Sequence, residues 1–177
     1  MSFVLITSVA ACVAIAVCVL LMLHKISVAG RHLPVTAEWI DELSVERYRP
    51  MLRLLDSQDL DFLKSQPGFT PSMAEKLRKQ RCQVFRGYLR CLCADFSRIC
   101  AAIKLLMLHS RRDRPDLAGI LVRNQMLFAV GMVLVQARLV MFEAGLCTVD
   151  ADILVRTFDL MRLELRTLVP AAMPTSA

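Results

Sequence analysis

Between Met1 and His24 the chain carries no charged side chain. A bilayer core about 30 Å thick is crossed by roughly 20 helical residues at about 1.5 Å rise each. Phe3 to Leu23 supplies that length, with Thr7 and Ser8 as its polar side chains. Their hydroxyls can bond a carbonyl one turn earlier, so they cost little in lipid. A core helix of a small soluble domain would keep a polar stripe, and none is visible here. An export signal is the rival reading, since Ser27-Val28-Ala29 resembles a small-x-small cleavage site. Such signals carry a cationic start and an apolar core of about 7–15 residues. Here no Lys or Arg precedes the run, and the run is longer. The expectation is an uncleaved single-pass anchor over residues 1–25. Lys25 and Arg31 follow it, which predicts a cytoplasmic C-terminal domain by the positive-inside rule.

The remaining stretch of about 150 residues is long enough for one domain with its own core. It is rich in Leu, Met, Ala and Val, while aromatic residues make up 6% of the whole chain and glycines number 6. That bias favours helices over strands. Of the 7 cysteines, Cys12 and Cys18 fall in the apolar run. Cys93 and Cys100 share a helix face but lie about 10.5 Å apart along the axis, beyond disulfide reach. Cys91 and Cys93 point about 200° apart. No CxxC occurs, so the thiols read as small buried hydrophobes in a reducing compartment.

Punctuation along the chain predicts its organisation. Residues 26–35 form a linker broken by Gly30 and Pro34, and residues 36–69 hold short juxtamembrane helices. Thr36 caps the first of these, which carries Trp39, Ile40, Leu43 and Val45. Trp39 suits either the lipid headgroups or the core. Pro50 opens a piece from Met51 to Leu55, and Ser57 caps another from Leu60 to Lys64. Asp56, Asp59 and Asp61 lack the order of a calcium loop. Gln66-Pro67-Gly68 is a stop. Residues 70–170 hold three main helices, and residues 171–177 a flexible tail.

The long helix starts with Ser72 and Glu75 as a capping box, or with Thr70 as cap and Pro71 first in the helix. Cys82, Phe85, Leu89, Leu92, Phe96, Ile99, Ile103 and Leu106 then alternate spacings of three and four. That is a seam of period 3.5, the signature of packed near-parallel helices. Cys93, Cys100 and Met107 widen it. The charged turn Ser110 to Asp116 leads into a helix begun by Pro115 and stopped by Gly145. Its centre, Met126 to Val135, is apolar all round. Ten residues cover only about 15 Å, and Arg123 and Arg138 bracket them, so a buried helix is expected rather than a second span. Gly131 would admit a close neighbour. Thr148 caps the last helix, which Pro170 ends. Leu154, Phe158, Met161, Leu165 and Leu168 form its apolar row, with Asp152–Arg156 and Asp159–Arg162 as surface pairs. The predicted fold is all-α, a single transmembrane helix followed by an antiparallel bundle of three main helices plus short N-terminal helices.

Motifs for chemistry are missing from the sequence. His24, His32 and His109 stand apart, and there is no HExxH, GxSxG, ExxH or glycine-rich phosphate loop. No catalytic, cofactor-binding or metal-binding residue is predicted, and no cofactor. Two features remain. Lys76, Lys79, Arg86 and Arg90 share one meridian of the long helix, a surface for an anionic membrane or an acidic protein. Nucleic acid fits less well, for want of a reading motif and stacking aromatics. The other feature is Arg138, beside Asn124, Gln125 and Gln136 in the greasy middle helix. It reads as a buried polar group that pairs with Asp95, Asp159 or Glu164 across the bundle or snorkels to water, or as a ligand-binding arginine. The functional expectation is a single-pass, membrane-anchored interaction or scaffold module, with the bilayer and a second copy as candidate partners. The alternative is a membrane-associated enzyme or small-ligand-binding bundle with a pocket near Arg138.

Overall fold

The computed structural model describes residues 16–24, 43–56, 62, 65–109, 115–145 and 149–168. Among these, all regular structure is helical. A 3-10 helix (Val45–Tyr48) runs into α1 (Arg49–Leu54), followed by α2 (Pro71–His109), α3 (Pro115–Glu143) and α4 (Asp152–Leu168). Residues 16–24 are also helical. Most of the anchor 1–25, the linker 26–35, Trp39, the Ser57 cap, most of the turn after His109, Thr148, Pro170 and the tail lie outside the described residues.

Local chemistry sets the helix ends. Thr70 accepts from the amides of Met73 and Ala74 through its carbonyl, so Thr70 is the cap and Pro71 the first helical residue. The alternative capping box does not form, because Glu75 turns instead to Lys79 at 2.7 Å. Gly68 at φ +92° makes the turn before α2. Gly145 at φ +78° stops α3 and donates its amide to the Phe142 carbonyl at 2.9 Å. A Cβ there would lie 2.5 Å from Nη1 of Arg78, so that cation sits against the carbonyl end of α3.

The start expected at Thr36 lies outside the described residues; at the far end of that stretch Ser44 caps a 3-10 helix by accepting from the Glu46 amide at 3.2 Å. The last helix opens at Asp152, whose amide donates to the Asp150 side chain at 2.9 Å.

α2, α3 and α4 each pack against the other two. Arg86 meets Glu143, and ten residues further along α2 Phe96 stacks on Phe128. Advancing along α2 therefore means retreating along α3. Likewise Gly131 faces Leu154 while Asn124 reaches Met161, so α3 and α4 also run in opposite senses. The period-3.5 seam of α2 is the core face. Cys82, Phe85, Leu89, Leu92, Phe96, Ile99 and Ile103 are all buried. Each large apolar side chain so buried contributes about 1.5–3 kcal/mol. Leu154, Phe158, Met161 and Leu165 of α4 join the same cluster, with Tyr48 and Met51 closing it from the N-terminal side.

α3 has two apolar sides. Phe128, Met132, Val135 and Leu139 enter the core, whereas Met126, Leu127, Val130, Leu134 and Met141 are exposed. Asp116–Glu143 is long and apolar enough to cross a membrane by length and composition: an 18-residue window within it has a mean hydropathy of 1.7, and 44% of that window is buried against the rest of the protein. The expectation of a helix too short to span considered only its ten central residues; the full helix adds apolar turns beyond both arginines.

Candidate functional site

At about 100° per residue, Lys76, Lys79, Arg86 and Arg90 fall on one side of α2, and Cys93 and Ser97 continue the same line. The structure divides the four cations. Lys76 and Arg90 are exposed. Lys79 is also exposed and donates to Glu75 Oε1 at 2.7 Å; this bond holds the Glu75 carboxyl below, and the Lys79 ammonium above, its ordinary value.

Arg86 is half-buried and makes a two-pronged contact with the end of α3. Its Nη1 donates to Glu143 Oε1 at 3.1 Å and its Nη2 to Oε2 at 2.8 Å. The paired geometry favours both charged forms. Hydrogen bonding to Arg86 lowers the Glu143 carboxyl, and hydrogen bonding to Glu143 raises the guanidinium. The expected basic surface is therefore partly neutralised by an acid 57 positions away in sequence.

Beyond Arg86 the line opens into a cavity of about 500 Å³ between α2 and α3. Leu89, Ala94, Met132, Leu139 and Val140 give it apolar walls, and Met22 reaches it from the N-terminal helical segment. Arg86, Arg90, Ser97 and Gln136 supply the polar lining, and Cys93 borders it half-buried. The Ser97 hydroxyl donates to the Cys93 carbonyl one turn back, at 2.7 Å. Val19, one turn before Met22, is also buried, while Val17, Leu20 and Leu21 face outward.

Arg138 is exposed, so it is not an interior polar group. On α3 the inward positions are Val135, Leu139 and Phe142, and Arg138 lies about 100° off Leu139. It does not line the cavity. Asp159 lies 3.8 Å from Arg162, and Asp95 belongs to a different cluster. The buried polar side chain of the middle helix is Gln125.

That other cluster escaped the sequence. Asp95 is buried beneath the 3-10 helix and accepts from the Tyr48 hydroxyl at 2.6 Å. Arg98 lies 3.6 Å away on the same helix, and Arg47 4.0 Å away. Burial, then the Asp95 hydrogen bond, raises the Tyr48 phenol above 10.0. The available signal was an acid placed directly between Leu92 and Phe96, two positions of the apolar seam.

Among the described residues no group of three His, Cys, Asp or Glu side chains could hold a metal ion. Burial pushes the Cys100 thiol up to about 12 and raises that of Cys82, which makes both poor nucleophiles. No family model, curated protein or solved structure matches this chain.

Proposed function

We propose that this chain is a membrane-tethered helical bundle that acts as an interaction or scaffold module, with the domain after the anchor on the cytoplasmic side. The observation that carries the reading is the outer face of α3. Met126, Leu127, Val130, Leu134 and Met141 stand exposed on one side of a helix whose other side is core. Contiguous apolar surface of that kind marks a place where a protein or a lipid binds. The uncharged run Phe3–Leu23 supports the tether, and a tethered domain gains effective concentration for weak contacts at the bilayer. Lys76 and Arg90 remain as exposed cations for an anionic leaflet or an acidic protein.

Two measurements test this. Alkaline carbonate should leave the full chain in the membrane pellet, and its release to the supernatant would overturn the tether. Charged substitutions Val130→Asp and Leu134→Asp should abolish the cross-linking of the native chain in cells to a second copy or another protein, while the thermal transition persists. Unchanged cross-linking in the folded double variant would overturn the role of α3.

A further inference from the structure

The groove between α2 and α3 combines elongated apolar walls with a cation at its edge. Along α2 its lining runs from Arg86 to Ser97, eleven steps or about 16 Å. Its 500 Å³ falls within the roughly 300–1,000 Å³ of small-molecule sites. The two guanidinium groups differ in availability. Arg86 is committed to Glu143 through both nitrogens. Arg90 is exposed and, among the described residues, takes part in none of the ion pairs.

We propose that this cavity binds a single acyl chain with a monoanionic head, such as a fatty-acid carboxylate. The hydrocarbon lies among Leu89, Ala94, Met132 and Leu139, and the head meets Arg90. Three features favour that chemistry. The slot is long, which suits a chain better than a compact ring. Its walls are apolar, so each methylene gains by leaving water. The Glu143 carboxylate cancels Arg86, so one uncompensated cation remains, matched to one negative charge rather than to a dianion. Met22 at the cavity brings it beside the apolar N-terminal segment. The site does not depend on the tether, although a tether would place it next to a bilayer that supplies such chains.

The test follows the alkylation of Cys93 by N-ethylmaleimide, residue by residue, in the full-length chain. It is carried out in phosphatidylcholine nanodiscs, or in buffer if the chain proves soluble without lipid. Laurate at ten times its Kd should slow Cys93 about tenfold by mass action, and dodecanol should protect less. Exposed Cys91 on the same helix should react at an unchanged rate. Arg90→Gln should erase the preference for laurate over dodecanol, and Ala94→Trp, which fills the slot, should erase protection by both. Native mass spectrometry should find one laurate per wild-type chain. Absence of bound laurate, equal protection at Cys91, or an unaltered laurate preference in Arg90→Gln would each overturn the proposal, whether or not Ala94→Trp folds. Protection by single-chain lysophosphatidylglycerol in the nanodisc, without added laurate, would support the proposal with a bilayer lipid as the source of the chain.

Discussion

The Tyr48 hydroxyl donates to Asp95 Oδ2 across 2.6 Å, joining the short N-terminal helices to the middle of α2. The same ring stands edge-on to Phe158 of α4, with centroids 5.4 Å apart and planes at 72°. One side chain therefore holds the 3-10 helix to two of the three long helices. Tyr48→Phe keeps the ring contact and removes the donor to a buried carboxyl. It should cost about 1–3 kcal/mol of unfolding free energy, read from urea melts. Tyr48→Ala should cost more, because the ring is 1% exposed and leaves a cavity.

Alkaline stability carries the signature of two buried acids. Burial raises the Tyr48 phenol above its ordinary 10.0 and pushes the Cys100 thiol from 9.0 to about 12. Folded chains keep both protons at a pH where unfolded chains release them. The stabilisation is thus full below pH 9 and is lost as pH rises toward and past 12. Unfolding free energy should fall above pH 9 with a slope of up to about 1.4 kcal/mol per pH unit for each proton. Tyr48→Phe should show a shallower fall above pH 10 than the wild type.

Two glycines should respond to alanine with opposite signs. A Cβ at Gly131 would lie 2.9 Å from Leu154 Cδ2 and 3.2 Å from Ile153 Cγ2. Leu154 is fully buried, so its methyl has little room to yield. Overpacking of about 1–3 kcal/mol should outweigh the helix-propensity gain of about 0.5–1 kcal/mol. A Cβ at Gly87 would meet nothing within 4 Å, so only the gain remains. Thermal melts should place Gly131→Ala below the wild type and Gly87→Ala above it.

Phe96 and Phe128 stack at 3.8 Å with planes only 5° apart, and both are fully buried. Either one replaced by alanine should cost about 3–5 kcal/mol. Because they fill one space together, the double variant should cost less than the sum. A strictly additive cycle in chemical denaturation would show that the stack is not a unit.

The Arg86–Glu143 pair is two-pronged but about one-third exposed on each side. Solvent screening limits it to at most about 1 kcal/mol in a double-mutant cycle. That coupling should shrink in high salt and with acid, since the lowered Glu143 carboxyl contributes above its unfolded value and loses that contribution as pH falls through the folded one.

How much of this could be read in the sequence depends on the element. The seam of α2 was legible because a strict three-four alternation gives both helix and phase, and the buried residues follow it from Cys82 to Ile103. Pro71, Pro115 and Gly145 marked ends because backbone chemistry acts locally. The phase of α3 was hidden, since a helix apolar all round offers no polar side to orient it. The sequence therefore left Arg138 open between an inward ion pair and a path to water, and it is exposed. Partners across the fold left no local trace either. Nothing near Arg86 announces Glu143, and nothing near Asp95 announces Tyr48. The basic meridian was visible as charge, but its continuation into a cavity required the position of α3.

Cys91 faces outward one residue past Arg90, whereas Cys82 and Cys100 are sealed inside. Among these three thiols on α2, an oxidant would reach Cys91 first. Ageing in air would then stitch neighbouring chains together from the outside and leave each interior undisturbed. A dimer band on a gel run without reductant, dissolved by a mild thiol and accompanied by an unaltered melting curve, is the trace such chemistry leaves.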